Sequence, residues 1–165
     1  MGSTLKWDYK NWKFHIYIPG YVAKAIKGFG HEPPPKLQYK PNPCAPPNYG
    51  AKIQYAKSID HSHSLSKGDK TFVMQVTGTF NFYVRAIDST MLPSLIKIAP
   101  EQNAPTKNTM KRVKKFLDCA VSEEEAITMF NSSGMVLAIH SDTSYMSKNN
   151  ARSRAGGHHF VSSDE

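Results

Sequence analysis

Residues 135–163 read MVLAIHSDTSYMSKNNARSRAGGHHFVSS, an apolar run, a polar and basic middle, and a second short apolar run. The five apolar residues Met135 to Ile139, bounded by Gly134, predict a short buried strand. Asp142 then stands where that strand gives out. A polar and basic bend comes next, and a second strand-like run closes the stretch. A carboxylate in such a place suits a hard divalent cation. Mg²⁺ takes oxygen ligands and needs only one or two protein carboxylates besides water and phosphate. Aspartate in the same place also commonly starts a turn.

Working outward, the 165 residues include eleven prolines and are 39% hydrophobic, with a mean hydropathy of −0.49. That is lean for one core, and predicts several pieces rather than a single globule. The net charge of +8 and pI near 9.5 suit either a polyanionic partner, because clustered Lys and Arg neutralise phosphates and release counterions, or simply a solvated basic surface. Cys44 and Cys119 have no short spacing, so neither a disulfide framework nor a zinc knuckle is indicated, and a reducing compartment is expected. No apolar run approaches the ~20 residues that span a bilayer, and the amino end lacks an apolar signal region. The expectation is an intracellular protein, in cytoplasm or nucleus, with no membrane partner.

The local patterns predict an α+β chain. Leu5 to Tyr9, a turn near Lys10 and Asn11, and the alternating Phe14, Ile16 and Ile18 read as a β-hairpin. Pro19-Gly20 stops it. Val22, Ala25, Ile26 and Phe29 form one helical stripe, with Gly30 as its stop. From His31 to Asp69 prolines come too densely for a helix or central strand, so a linker is expected. His61 and His63 lie in it, but no Cys or carboxylate stands at zinc-ligand spacing, and a solvated loop is the better account. Val73, Val76, Phe80, Tyr83 and Ile87 keep a helical period over Lys70 to Asp88. Gly78 within it lowers helix propensity and would be explained by a closely approaching backbone. Ser89 or Thr90 would cap a next helix with Leu92, Leu95, Ile96 and Ala99 inward, ended by Pro100. A last helix over Asn108 to Ala120 buries Met110, Val113, Phe116, Leu117 and Ala120. Its other face carries Lys111, Arg112, Lys114 and Lys115, candidates for contact with a phosphate backbone or else a solvated helix face. Near the carboxyl end, His158 and His159 beside Gly156 and Gly157 read as the start of a strand.

The wording of several blocks carries more than their patterning. HSDTSY followed by ARSRAGG and an aromatic-apolar strand resembles the opening of the ribonuclease H region in retrotransposon polyproteins of the copia and gypsy kind. Further blocks resemble the same family in the same order. IYIPGYVAKAIKGF is similar to its passage from polymerase palm to thumb, and NYGAKIQYAK to its Tyr-Gly-Ala-Lys-x-Gln-Tyr-Ala block. Val76 to Leu92 is similar to its Val-Gly-Thr-Phe block, although Thr77 intervenes before Gly78, and Asn81 and Val84 replace more usual residues. Glu123 to Glu125 stand where the family has a Thr-His-Pro-Asp-Ala turn.

The resemblance implies a division into a palm and thumb end (residues 1–30), a Pro-rich linker (31–69), a helical thumb or connection segment (70–131), and the N-terminal part of a ribonuclease H-like domain (132–165). The closing hairpin would begin an incomplete ribonuclease H-like fold. Asp142 matches the first metal-binding carboxylate of the nuclease, whose chemistry uses two Mg²⁺ ions held by several carboxylates. Asp164 and Glu165 come too soon after the second strand to be the others, and no Tyr-x-Asp-Asp polymerase turn occurs. Mg²⁺ is therefore implied only for an intact family domain. On the resemblance the chain would be a fragment of a retroelement reverse transcriptase and ribonuclease H polyprotein, inactive alone, serving RNA-directed DNA synthesis and transposition within the whole. Its partners would be an RNA–DNA hybrid or other nucleic acid and the remainder of the polyprotein. Lys111, Arg112, Lys114, Lys115, Arg152 and Arg154 would make the nucleic-acid contacts. Two alternatives stand beside it: a small basic nucleic-acid-binding module without catalysis, and a one-metal nuclease using Asp142.

Overall fold

A computed structural model describes residues 2–42, 60–123, 125–148 and 152–163. The described chain is mixed α+β, with four α-helices and two small antiparallel sheets. In the first sheet, β1 (Thr4–Asp8) pairs with β2 (Lys13–Tyr17) in a hairpin, with Trp7 opposite Phe14 and Leu5 opposite Ile16. The strands begin and end about one residue from the expected bounds because Asp8 closes the turn. Its Oδ1 accepts from the backbone N–H of Lys10 and Asn11, both at 3.1 Å. A short strand that the apolar pattern does not reveal, β3 (Thr128–Asn131), adds beside β2. Its four residues are too few for an alternation to register.

The helices follow their apolar stripes. α1 (Tyr21–Phe29) buries Val22 and Ile26 and stops at Gly30, whose φ of 60° is the left-handed conformation glycine adopts freely. α2 (Lys67–Ala86) buries Val73, Val76, Phe80, Tyr83 and Val84. It starts earlier than its apolar stripe because Ser66 caps it, accepting from the Asp69 N–H at 3.2 Å. The next helix is capped by Asp88 rather than by Ser89 or Thr90. Its carboxylate accepts from the Thr90 N–H at 3.1 Å, and a 3₁₀ turn at Ser89–Met91 leads into α3 (Leu92–Ile98). That extra turn rotates the stripe. Met91, Leu95 and Ile98 are buried, whereas Ile96, expected inward, is exposed. α4 (Lys107–Ser122) buries Val113, Phe116, Leu117 and Ala120 as expected, together with Thr109 and Cys119. Its cap is reciprocal: the Thr106 side chain accepts from the Thr109 N–H, and the Thr109 side chain accepts from the Thr106 N–H.

One core joins these elements, running from Ile18 and α1 through α2 and α3 to α4. Phe80 stands at its centre, edge-on to Phe116 at 5.1 Å and to Tyr83 at 6.3 Å between ring centroids. Tyr83 stacks on Tyr21 at 5.2 Å, and the Tyr21 hydroxyl donates to the Thr79 carbonyl at 2.6 Å. The described parts of the Pro-rich stretch are strapped to this body. His31 Nε2 meets Asp118 Oδ1 of α4 at 2.8 Å, the Gln38 N–H donates to Ser122 Oγ at 2.8 Å, and Ser94 Oγ donates to the Pro41 carbonyl at 3.0 Å. At its far end, Leu65 N–H donates to the Pro105 carbonyl and Lys107 N–H to the His63 carbonyl, each at 3.0 Å. Cys44 and the NYGAKIQYAK block lie outside the described residues.

The second sheet is a separate long hairpin of β4 (Val136–Lys148) and β5 (Arg152–Ser162). β4 corrects the expectation of a strand that ends before Asp142. It runs on through Asp142 to Lys148, because β5 offers ladder partners along that length: Asp142 faces Gly156, Ser141 faces Gly157 and Thr143 faces Ala155. The polar sequence SDTSYMSK hides this strand from a reading by apolar alternation. The bend at residues 149–151 lies outside the described residues.

Candidate functional site

The hairpin pleat sorts residues 136–143 and 155–162 by face. Successive side chains alternate, so Val136, Ala138, His140 and Asp142 share one face with Gly156, His158, Phe160 and Ser162. Leu137, Ile139, Ser141 and Thr143 share the other with Ala155, Gly157, His159 and Val161. Asp142 is exposed in mid-strand. Its cross-strand neighbour Gly156 has no side chain, and a Cβ added there would meet nothing within 4 Å. The carboxylate thus stands over an open patch. Next along the same face, His140 lies directly opposite His158. The His140 ring is edge-on to Phe160 at 5.2 Å, and the His158 ring stacks on Phe160 at 4.9 Å.

His158 is not the strand-start residue that its flanking glycines suggest. The structure puts it well inside β5, on the Asp142 face. The alternation H-x-D in one strand and G-x-H in the other is the available signal, visible only once the register is known. These groups do not assemble a metal centre. Among the described residues no group of three or more His, Cys, Asp or Glu is placed to hold a metal ion. Two-metal hydrolysis requires carboxylates on both ions to position the water and the leaving oxygen. The described part of this face presents a single one. Arg154 stands opposite Ser144 and Arg152 opposite Lys148 in the backbone register, so both lie on the distal half of the hairpin.

On α4 the four expected cations separate. Lys111 and Lys114 are exposed, and Lys107, one turn earlier, is exposed as well. Positions 107, 111 and 114 fall on one side of a helix, so these three lysines form a continuous arc. Lys115 is half-buried. Arg112 turns to the body and pairs with Glu101, whose Oε2 also accepts from Thr109 Oγ1 at 2.8 Å. It serves the helix start. Lys107 escapes the sequence pattern because the apolar stripe places the helix start at Asn108.

The arrangement therefore offers a basic helix arc on one compact unit and an aspartate with two histidines on another. Compared with known proteins, the chain matches no family model, no curated protein and no solved structure.

Proposed function

We propose that the chain is a segment of a retroelement reverse transcriptase and ribonuclease H polyprotein, that it engages nucleic acid, and that its own residues do not catalyse cleavage. The observation that carries this reading is the pairing of HSDTSY with ARSRAGG. The described residues of these blocks, whose wording resembles the family most specifically, lie on adjacent antiparallel strands with Asp142 opposite Gly156. Asp142 is then the first carboxylate of a nuclease centre whose remaining ligands would come from elsewhere in the polyprotein, together with Mg²⁺. Reading the genomic frames on both sides tests the assignment. The expected finding is a Tyr-x-Asp-Asp block upstream and further nuclease carboxylates downstream; their absence even in degenerate form overturns it.

A second reading, a basic nucleic-acid-binding module without catalysis, is favoured by the α4 arc. Each phosphate neutralised contributes about −0.9 to the slope of log K against log salt for a B-form duplex. Titrating an RNA–DNA hybrid at several salt concentrations should give a steep slope. Replacing Lys107, Lys111 and Lys114 by Gln should flatten it by about 3 if each neutralises one phosphate. No binding at low salt removes both the module and the nucleic-acid role of α4. In the same samples with Mg²⁺ no hybrid cleavage is expected, with Asp142→Asn indistinguishable from the parent chain.

A further inference from the structure

Aromatic rings bridge α1 to α2, and beside the bridge the two helices leave a cleft. On α1, Tyr21, Lys24, Ala25 and Gly28 recur at i, i+3, i+4 and i+7; on α2, Gln75, Thr79 and Phe82 recur at i, i+4 and i+7. Each helix thus turns one stripe to the same space. Together with Phe29 these residues line a cavity of about 550 Å³. Gly28 keeps the α1 wall low. A Cβ added there would meet nothing within 4 Å, and its backbone has no positive φ that would call for glycine.

Two of its walls are fixed by the core. The Tyr21 ring stacks on Tyr83, and its hydroxyl donates to the Thr79 carbonyl. Phe29 stands edge-on to Phe72 at 5.7 Å and stacks on Phe80 at 6.5 Å between ring centroids. Phe82 supplies a third ring and is 57% exposed, although its neighbours Tyr83 and Val84 are buried. Pre-formed apolar walls with a few polar groups are the usual make-up of a small-molecule site, and such sites measure roughly 300–1,000 Å³. Among the described residues Lys24 is the one charged group on the lining. It is exposed, and no described carboxylate pairs with it. Gln75 adds an exposed amide.

We propose that this cleft binds a small organic anion with a flat aromatic body, an aryl carboxylate, whose ring lies among Tyr21, Phe29 and Phe82 and whose carboxylate meets Lys24, with the Gln75 amide as a second donor. Aromatic rings prefer offset or edge-on contact with another ring, and three rings around one space supply it. The sign of the charge follows from the lining, which offers an ammonium and no carboxylate. A cation would find no partner there. A nucleic-acid backbone is a poorer occupant, since three rings and a single lysine give a chain of phosphates one contact. The proposal rests on the cleft alone and is independent of the polymerase reading.

The test is a titration of the full ¹⁵N-labelled chain with cinnamate, with its neutral counterpart cinnamamide, and with acetate, following the amide signals of Lys24, Ala25, Gln75 and Phe82. Cinnamate should give saturable shifts, at an affinity about two- to fivefold above that of cinnamamide, the range of one exposed ion pair. Acetate should leave the same signals in place. Lys24→Gln should lower the cinnamate affinity to that of cinnamamide and leave cinnamamide binding unchanged. Gly28→Leu puts a side chain into the cleft where its Cβ displaces nothing, and should abolish the shifts with both aromatic compounds. Unmoved signals of Val76 and Phe116 in that variant show an intact core. Absence of saturable shifts with cinnamate overturns the proposal. So do equal affinities for the two aromatic compounds, acetate shifts that match those of cinnamate, and cinnamate binding unchanged in Lys24→Gln or in Gly28→Leu.

Discussion

Asp8 shows how much one carboxylate can organise. The Asn11 side-chain amide donates to its Oδ2 at 2.8 Å and the Asn11 and Lys10 N–H groups to its Oδ1. With the Asn11 side chain first, these bonds hold its carboxyl below the usual carboxylate range. A lowered folded value means that the turn's contribution is present above the ordinary carboxylate pKa and is lost as pH falls through the lowered one. The expected outcome is that the amide signals of Trp7 and Lys13 show an acid transition below about pH 4 that is missing in Asp8→Asn. Identical acid titrations in the two chains would refute this. The turn is legible in the sequence, since Asp, Lys and Asn between two strand-like runs are turn chemistry. Asp142 is legible as a residue and not as a place, because which side chains join it depends on a register of paired strands that local sequence does not encode. Arg112 differs again. Nothing in the run of basic residues distinguishes it from Lys111, and its role emerges only where Glu101 comes to lie beside it.

Among the elements, the helices with strong apolar periods are legible nearly whole, and the departures come from caps. Ser66 and Asp88 each carry a side-chain oxygen that accepts a backbone N–H, and each moves a helix start away from where apolar residues alone would put it. Gly78 reverses an expectation. A glycine in mid-helix suggests a backbone packed close against it, yet a Cβ there would meet nothing within 4 Å, and the position is exposed on α2. With neither a close approach nor a positive φ to require it, glycine at 78 only adds disorder to the unfolded chain and weakens the helix. Gly78→Ala should therefore stabilise the protein by about 0.5–1 kcal/mol. Urea unfolding at equilibrium measures this as a higher midpoint at unchanged slope. An unchanged or lowered midpoint would mean that the glycine answers a constraint absent from this packing.

At the scale of the whole molecule, composition anticipates more than one piece, and the chain does divide into two compact units, with the hairpin of β4 and β5 in the second. What composition hides is that the N-terminal hairpin and α1 share one core with α2, α3 and α4 across the Pro-rich stretch. Contacts such as Tyr21 on Tyr83 link residues far apart in sequence, and no local pattern reports them. Among the described residues every buried apolar one lies between Ile18 and Ala120. The β4–β5 hairpin by contrast leaves Leu137 63% and Ile139 54% exposed, and two strands alone are marginal in water. Stability must then reside in the helical unit. Deleting residues 132–165 should leave the urea midpoint of the remaining chain within error of the full one, since none of these core residues is removed. Phe80→Ala in either background should cost about 3–5 kcal/mol, because the ring fills the centre of the core and its loss leaves a cavity. The hairpin amides, unprotected by a core of this kind, should exchange with solvent far faster than those of α2 and α4 in the intact chain. A midpoint that drops with the deletion would show instead that the hairpin contributes to the helical unit's stability, and slow exchange along β4 would lead to the same conclusion from the other side.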